Sequence, residues 1–295
     1  MKSKKRSLFI SLCVLPTFIC YMIFGFYPCV RSIIMAFYRW SGISGQAEFI
    51  GFNNFVTLIN DAKVWGALGN NLFLLAVVPL MTMTLALLFA FSITKMKFKE
   101  KGFYRVVFFF PNVLSLVVIS ILFMFIYHPS LGILNSFLEF VGLENLTRVW
   151  LGDANTVLWS LAITMVWQAV GYYMVLYMAS MEGVPTYLYE AAIIDGASQW
   201  QQFRNITFPL IWEVVRVTII FNILGVFNGS FAYVNIMTKG GPDDASNILS
   251  VYMYKQAFAN GNFGYAMCVG ILVLVISLLL AYIANRLTKK EVVQY

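Results

Sequence analysis

In the long apolar stretches of this 295-residue chain, the side chains able to do chemistry are almost all uncharged. Gln168 lies in one stretch, and Asn222, Asn228 and Ser230 lie in the following one. Trp167, Tyr172, Tyr173 and Tyr233 accompany them. Amides and hydroxyls beside flat aromatic faces suit a polyhydroxylated neutral solute, which offers hydroxyls and apolar ring faces. The same residues also suit hydrogen bonding between membrane helices, with the aromatics packed or facing lipid, and the sequence leaves both readings open. Catalysis is not expected. There is no His-Glu-x-x-His pattern, no Gly-rich phosphate cradle and no Ser/His/Asp set within one plausible site. Cys13, Cys20, Cys29 and Cys268 lack metal-ligand spacing and imply no disulfide framework, so neither metal nor cofactor is expected. Ion-coupled carriers place Asp, Glu or His within their spans. Here the single histidine, His128, stands beside Pro129 at the end of a span and reads as a solvated loop residue.

The elements that must position these groups are membrane spans. Hydrophobic residues make up 60% of the chain and charged residues 11%, against roughly a quarter charged in soluble domains. The net charge of +7 would suit nucleic acid, but 12 of the 20 basic residues cluster at Lys2 to Arg6, Lys95 to Arg105 and Arg286 to Lys290, beside apolar runs. That is the positive-inside pattern, and no nucleic-acid partner is expected. An all-α, polytopic fold follows, with spans near 8–27, 70–94, 106–127, 157–181, 210–237 and 264–283. Each approaches the roughly 20 residues that a bilayer crossing needs. Pro16 interrupts the first span, Pro28 ends it, and Pro79 kinks the second. The N-terminal stretch lacks a small-residue cleavage pattern and reads as a retained span. With both termini inside, 14 of 20 basic residues are cytoplasmic, and the external loops hold six basic and seven acidic residues. Residues 1–66 form a first helix plus an external segment, 67–288 a five-helix body, and 289–295 a cytoplasmic tail. Gly225 and Gly229 form Gly-x-x-x-Gly, favouring close helix packing within the chain or against a second one.

The longest polar interruption in the second half runs from Glu190 to Pro209. Its local signals describe two short helices joined by a bend. Pro185 suits a first helical turn, Gly196 a helix end, and Ser198 with Gln201 a capping box. The spacing Glu-Ala-Ala, two residues, Asp-Gly-Ala, five residues, Phe, two, Ile, two, Pro resembles the EAA loop of ABC importer permeases. Nine positions match: Glu190, Ala191, Ala192, Asp195, Gly196, Ala197, Phe203, Ile206 and Pro209. One departure is Glu213, where the family often has a second proline.

The resemblance covers nearly the whole chain and is closest to the carbohydrate branch, the maltose and glycerol-phosphate type. It implies a coupling loop at about 183–209 that seats in a cleft of a separate ATPase through Glu190, Ala191, Ala192, Asp195, Gly196, Ala197, Trp200, Phe203 and Pro209. It also implies a homologous second permease, two ATPase subunits, an external solute-binding protein and a bacterial cell membrane. By counting back from the loop, Trp167 and Tyr172 fall where maltose-type permeases place residues near their sugar. The segment Phe49 to Phe55 and the turn Gly240-Gly241-Pro242 resemble external parts of sugar permeases, the turn belonging to the surface that receives the binding protein. A polyol or glycerol phosphate is the alternative cargo, although a phosphorylated solute favours a basic group that the spans lack. A channel or carrier working without an ATPase is the alternative of another class.

Overall fold

The computed structural model describes residues 2–42, 46–95 and 100–288, with only the helix path at 2–11, 95 and 287–288. The expected tail 289–295 and the side chains of Lys2, Lys4, Lys5, Arg6, Lys95, Lys97, Lys99, Lys289 and Lys290 lie outside that description. The chain is almost entirely helical and divides into two compact units.

The first unit joins residues 1–64 to 252–275. Helix α1 (Lys2–Tyr21) passes through a π-helical turn, Met22–Phe26, into α2 (Tyr27–Met35). The first span therefore does not stop at Pro28, as the sequence reading expected, but runs apolar from Leu12 to Met35. The change of register at the π turn puts Pro28 in the first turn of α2, where its missing N–H is tolerated. Strand β1 (Tyr38–Arg39) then pairs antiparallel with β2 (Glu48–Phe49), and α3 (Asn53–Asn60) follows. Buried Asn54 secures this cap by donating from Nδ2 to the carbonyls of Ala36 (2.7 Å) and Tyr38 (3.0 Å). Asp61 follows α3. Its Oδ2 accepts from the hydroxyls of Tyr252 (2.5 Å) and Tyr265 (2.6 Å), and its Oδ1 accepts from the Lys63 amide (3.0 Å). That last bond explains why α4 (Ala62–Lys95) starts at Ala62 rather than at the expected Asn70: the aspartate caps the helix. Pro79 lies within α4 without ending it.

Among the described residues, the second unit joins 65–95 and 100–251 to 276–288. It contains most of α4, then α5 (Lys101–Val113), α6 (Leu116–Ile126), α7 (Ile133–Phe140), α8 (Val157–Glu182), α9 (Thr186–Ile194), α10 (Gln199–Gln202), α11 (Phe208–Leu210) and α12 (Trp212–Met237). Helices α13 (Leu249–Tyr254) and α14 (Phe263–Thr288) pass from one unit's residues to the other's. The expected third span, 106–127, is corrected: α5 and α6 meet at a bend of 100°. Pro111 sits near the end of α5, Leu114 and Ser115 are extended, and Ser115 Oγ caps α6 by accepting from the Val118 amide (3.3 Å). Among the described residues, five helices are long and apolar enough to cross a membrane, and the bent pair counted as one span makes six.

Helix α8 is the axis of this unit, with 61% of its apolar window buried. One side-chain cluster joins its Leu161 and Met165 to Leu74 and Val78 of α4, Ile119 and Phe123 of α6, and Val226 and Val234 of α12. A second joins Met174, Tyr177 and Met178 to Met83, Ala86 and Ala90 of α4 and Val215 of α12. There the buried Tyr177 hydroxyl pairs with Thr218 Oγ1 at 2.7 Å, so the polar group is satisfied between helices. Gly171 lets α5 cross α8 closely, because a side chain there would overlap the Phe108 carbonyl.

Candidate functional site

In the second unit, α4, the α5–α6 bend, α8 and α12 enclose a cavity of about 350 Å³. Helical spacing selects its lining. Met165, Gln168, Ala169 and Tyr172 recur at three- and four-residue intervals on one face of α8, as do Asn222, Gly225, Val226 and Gly229 on α12. Tyr173 and Tyr233 complete those two walls. The bend adds Asn112 from the last turn of α5 and Leu116 from the first of α6. No lining residue carries a formal charge at neutral pH.

Asn222 is the most informative lining residue. It is 4% exposed, and its Oδ1 has no hydrogen-bond partner among the described residues. The Tyr173 hydroxyl interacts with its side chain, but the carbonyl oxygen stays unsatisfied. A buried acceptor of this kind costs about 1–3 kcal/mol when left without a donor, and it makes Asn222 a polar point in a largely apolar wall. Beside it, Gly225 and Gly229 have nothing within 4 Å of an added Cβ. They leave open space in the wall, and close packing through these glycines does not occur among the described residues.

The stretch from Thr186 to Leu210 forms a second feature. Helix α9 ends in a Schellman arrangement: Gly196 takes a φ of +76°, its amide donates to the Ile193 carbonyl (3.0 Å), and the Ala197 amide donates to the Ala192 carbonyl (2.9 Å). The capping box is complete, with Ser198 Oγ accepting from the Gln201 amide and Gln201 Oε1 accepting from the Ser198 amide (2.7 Å). Pro185 stands one residue before the first turn. Phe203 is gripped by Phe91 (ring centroids 4.7 Å apart) and Trp200 (5.4 Å, stacked). Tyr189 and Thr207 share a 2.8 Å hydrogen bond between the two arms. Glu190, Ala191, Asp195, Gly196, Trp200 and Pro209 are exposed, Ala192 and Ala197 half-buried. A hollow of about 540 Å³ between the arms is lined by Tyr189, Glu190, Ile193, Ala197, Gln199 and Gln202.

Residues 82–292 match the family of binding-protein-dependent transport system inner membrane components. The chain belongs to this family. It is 38% identical to the probable ABC transporter permease protein YurN of Bacillus subtilis, covering 91% of this chain and 92% of that one. It is 35% identical to the diacetylchitobiose uptake system permease protein NgcF of Streptomyces coelicolor, covering 91% and 79%. A chain of the bacterial alginate ABC transporter, solved in complex with an alginate pentasaccharide-bound periplasmic protein, superposes with a TM-score of 0.86 over 99% of both chains at 24% identity. That likeness establishes the fold.

In this inner membrane component, the eight residues expected along a solute pathway divide by helix face. Gln168, Tyr172, Tyr173, Asn222 and Tyr233 line the cavity. Trp167, one position off the lining face, packs its ring against Phe123 at 5.2 Å. Asn228 donates to the Leu224 carbonyl (3.0 Å) and Ser230 to the Phe227 carbonyl (3.3 Å), each satisfied on its own helix. Asn112 escaped sequence reading because a straight span gives it no special place. The Pro111-Asn112 pair, with Ser115 as a cap, was the available signal. His128 is exposed, its Nδ1 accepting from the Leu131 amide at 3.2 Å, as a loop residue would. The turn after α12 is held by Thr238 Oγ1, which accepts from the Gly240 amide, and by Asn70, which donates to the Asn247 carbonyl (2.8 Å).

Proposed function

We propose that this chain is a permease subunit of an ATP-driven importer for a neutral sugar or oligosaccharide. The observation that carries the reading is the uncharged cavity between α4, the α5–α6 bend, α8 and α12, with aromatic walls and the unsatisfied Asn222 acceptor. Sugar hydroxyls supply donors, and tyrosine faces cover apolar ring surface. An acidic saccharide or a glycerol phosphate needs a basic group, and the lining has none. The relative named for diacetylchitobiose uptake transports a cargo of this neutral class.

In this reading the termini and residues 183–209 face the cytoplasm. The hollow between α9 and α10, with exposed Glu190, Ile193 and Trp200 around it, seats on a separate ATPase. Closure of two ATPase subunits moves this element as a rigid hairpin. The motion passes through Phe203–Phe91 to α4 and through Ile211 to α12. A homologous second permease meets the open glycine face of α12, and an external binding protein delivers the solute. The test is purification of the complex through a tag on this chain. A second permease and an ATPase should co-purify, with ATP hydrolysis stimulated by a binding protein loaded with one sugar. A lone, stable chain that moves solute without ATP overturns the proposal.

A further inference from the structure

The first unit contains another cavity, of about 410 Å³, between a cap of residues 39–41 and 50–57 and the start of α14. We infer that it is a binding site for one end of a neutral saccharide, outside the membrane, separate from the cavity among the spans. This rests on the importer reading and on the topology that places the cap externally.

The geometry begins with α3, which buries Asn54 and Leu58 and leaves apolar side chains exposed beside its polar ones. Phe52, Val56 and Ile59 point outward and are 69%, 56% and 63% exposed. Ile50, which precedes α3, and Asn53, Asn54 and Thr57, spaced for one helix face, line the cavity. The outward apolar side chains suit the bilayer interface, and Asn53 and Thr57 border an open hollow. Opposite them stand Trp40, Asn262 and Tyr265. Trp40 is held by Phe263 with ring centroids 5.6 Å apart, and Tyr265 is pinned by its 2.6 Å bond to Asp61. Two walls are thus fixed before any ligand arrives, which lowers the cost of ordering them on binding.

The lining chemistry selects the ligand. An indole offers an apolar platform, and amides and hydroxyls offer both donors and acceptors. Asn54 is committed to backbone carbonyls and Asn262 Nδ2 donates to Gln256 Oε1 (3.2 Å), whereas the side chains of Asn53 and Ser41 make no hydrogen bond within the described residues. The one lining cation, Arg39, pairs with Glu48 at 3.3 Å on the adjacent strand. An aromatic wall beside the Asn53 amide and the Ser41 hydroxyl, with the lining cation already paired, fits a sugar ring better than an anion or a cationic peptide.

Asn53 and Asn262 are exposed, and size exclusion checks that complexes carrying their replacements still assemble. The test uses the complete complex in nanodiscs without binding protein. Saturation-transfer NMR is recorded with N,N′-diacetylchitobiose, lactose and maltotriose in turn. An Asn222→Leu background disables the cavity among the spans. The expected result is a saccharide signal that persists in Asn222→Leu and falls at least fivefold when Asn53→Leu and Asn262→Leu are added. A signal absent from Asn222→Leu, or unchanged by the added pair, overturns the inference. Sugar uptake by the unaltered complex is scored separately. Loss of uptake with the pocket signal intact refutes the importer reading alone, and normal uptake without that signal refutes this site alone.

Discussion

At the scale of single residues, Asn222 and Asn112 decide what the cavity can hold. Asn222 lines the cavity with a side-chain amide whose carbonyl oxygen has no partner among the described residues, and one hydrogen bond between a side-chain amide and a ligand hydroxyl contributes about 0.5–1.5 kcal/mol net. Replacing the amide with a bulkier apolar side chain removes that recognition and narrows the cavity. Asn222→Leu should reduce sugar uptake by at least tenfold while the complex still assembles, as checked by radiolabelled uptake and size exclusion. Asn112→Ala, at the bend, should weaken the apparent affinity for sugar by about threefold to tenfold, the worth of one hydrogen bond. Uptake at wild-type levels in both variants would remove the cavity from the pathway. The pair also shows the limit of reading residues by type. Asn222 and Asn228 are the same amide on one helix, but only the former lies on the cavity-lining face.

At the scale of elements, two glycines set geometry that no other residue supplies. Gly171 permits the α5–α8 crossing, where a methyl group would overlap the Phe108 backbone. Gly171→Ala should therefore lower the melting temperature of the purified complex and shrink transport, with Ser in place of Ala no better. Gly196 holds a left-handed turn, with open space beyond its Cα. Gly196→Asp costs about 1 kcal/mol for that backbone conformation and adds a charge to the hairpin's exposed face. ATP hydrolysis should continue while uptake falls, and the variant should still insert in the membrane. Normal uptake by this variant would contradict the coupling role. Ser198→Ala removes the capping box and should destabilise α10 by about 1 kcal/mol, visible as faster hydrogen exchange confined to residues 198–203. Cap, turn and periodicity were legible here because each depends on neighbours in sequence. The 100° bend was not, because Pro111 alone signals a kink and the angle is set by what α5 and α6 pack against.

At the scale of the molecule, acid sensitivity is expected at the cap that β1, β2 and α3 form around Asp61. Burial alone would raise the Asp61 pKa, but the bonds from Tyr252, Tyr265 and the Lys63 amide, with the Lys63 charge, outweigh it and hold the carboxyl below its ordinary value of 3.8. Tyr252 is pushed up to about 12 by burial and by its bond to Asp61, so it remains a donor throughout. A lowered folded pKa contributes stability that is full above the unfolded value and is lost as pH falls through the folded one. Hydrogen-exchange protection of residues 36–61 should therefore hold at pH 7 and drop below about pH 4. In Asp61→Asn it should be weaker and lack that pH dependence. The sequence by itself determined the class: apolar runs with clustered basic ends require membrane helices, and the spacing from Glu190 to Pro209 requires a short helical hairpin. It did so because both signals are local, written in run length, periodicity and caps. Only the tertiary structure decided that the third span is bent, that Asp61 fastens tyrosines 191 and 204 residues away, and which five of eight candidate residues share one cavity. Those outcomes depend on which helix faces meet, and a face is assigned by packing against distant residues rather than by its own sequence.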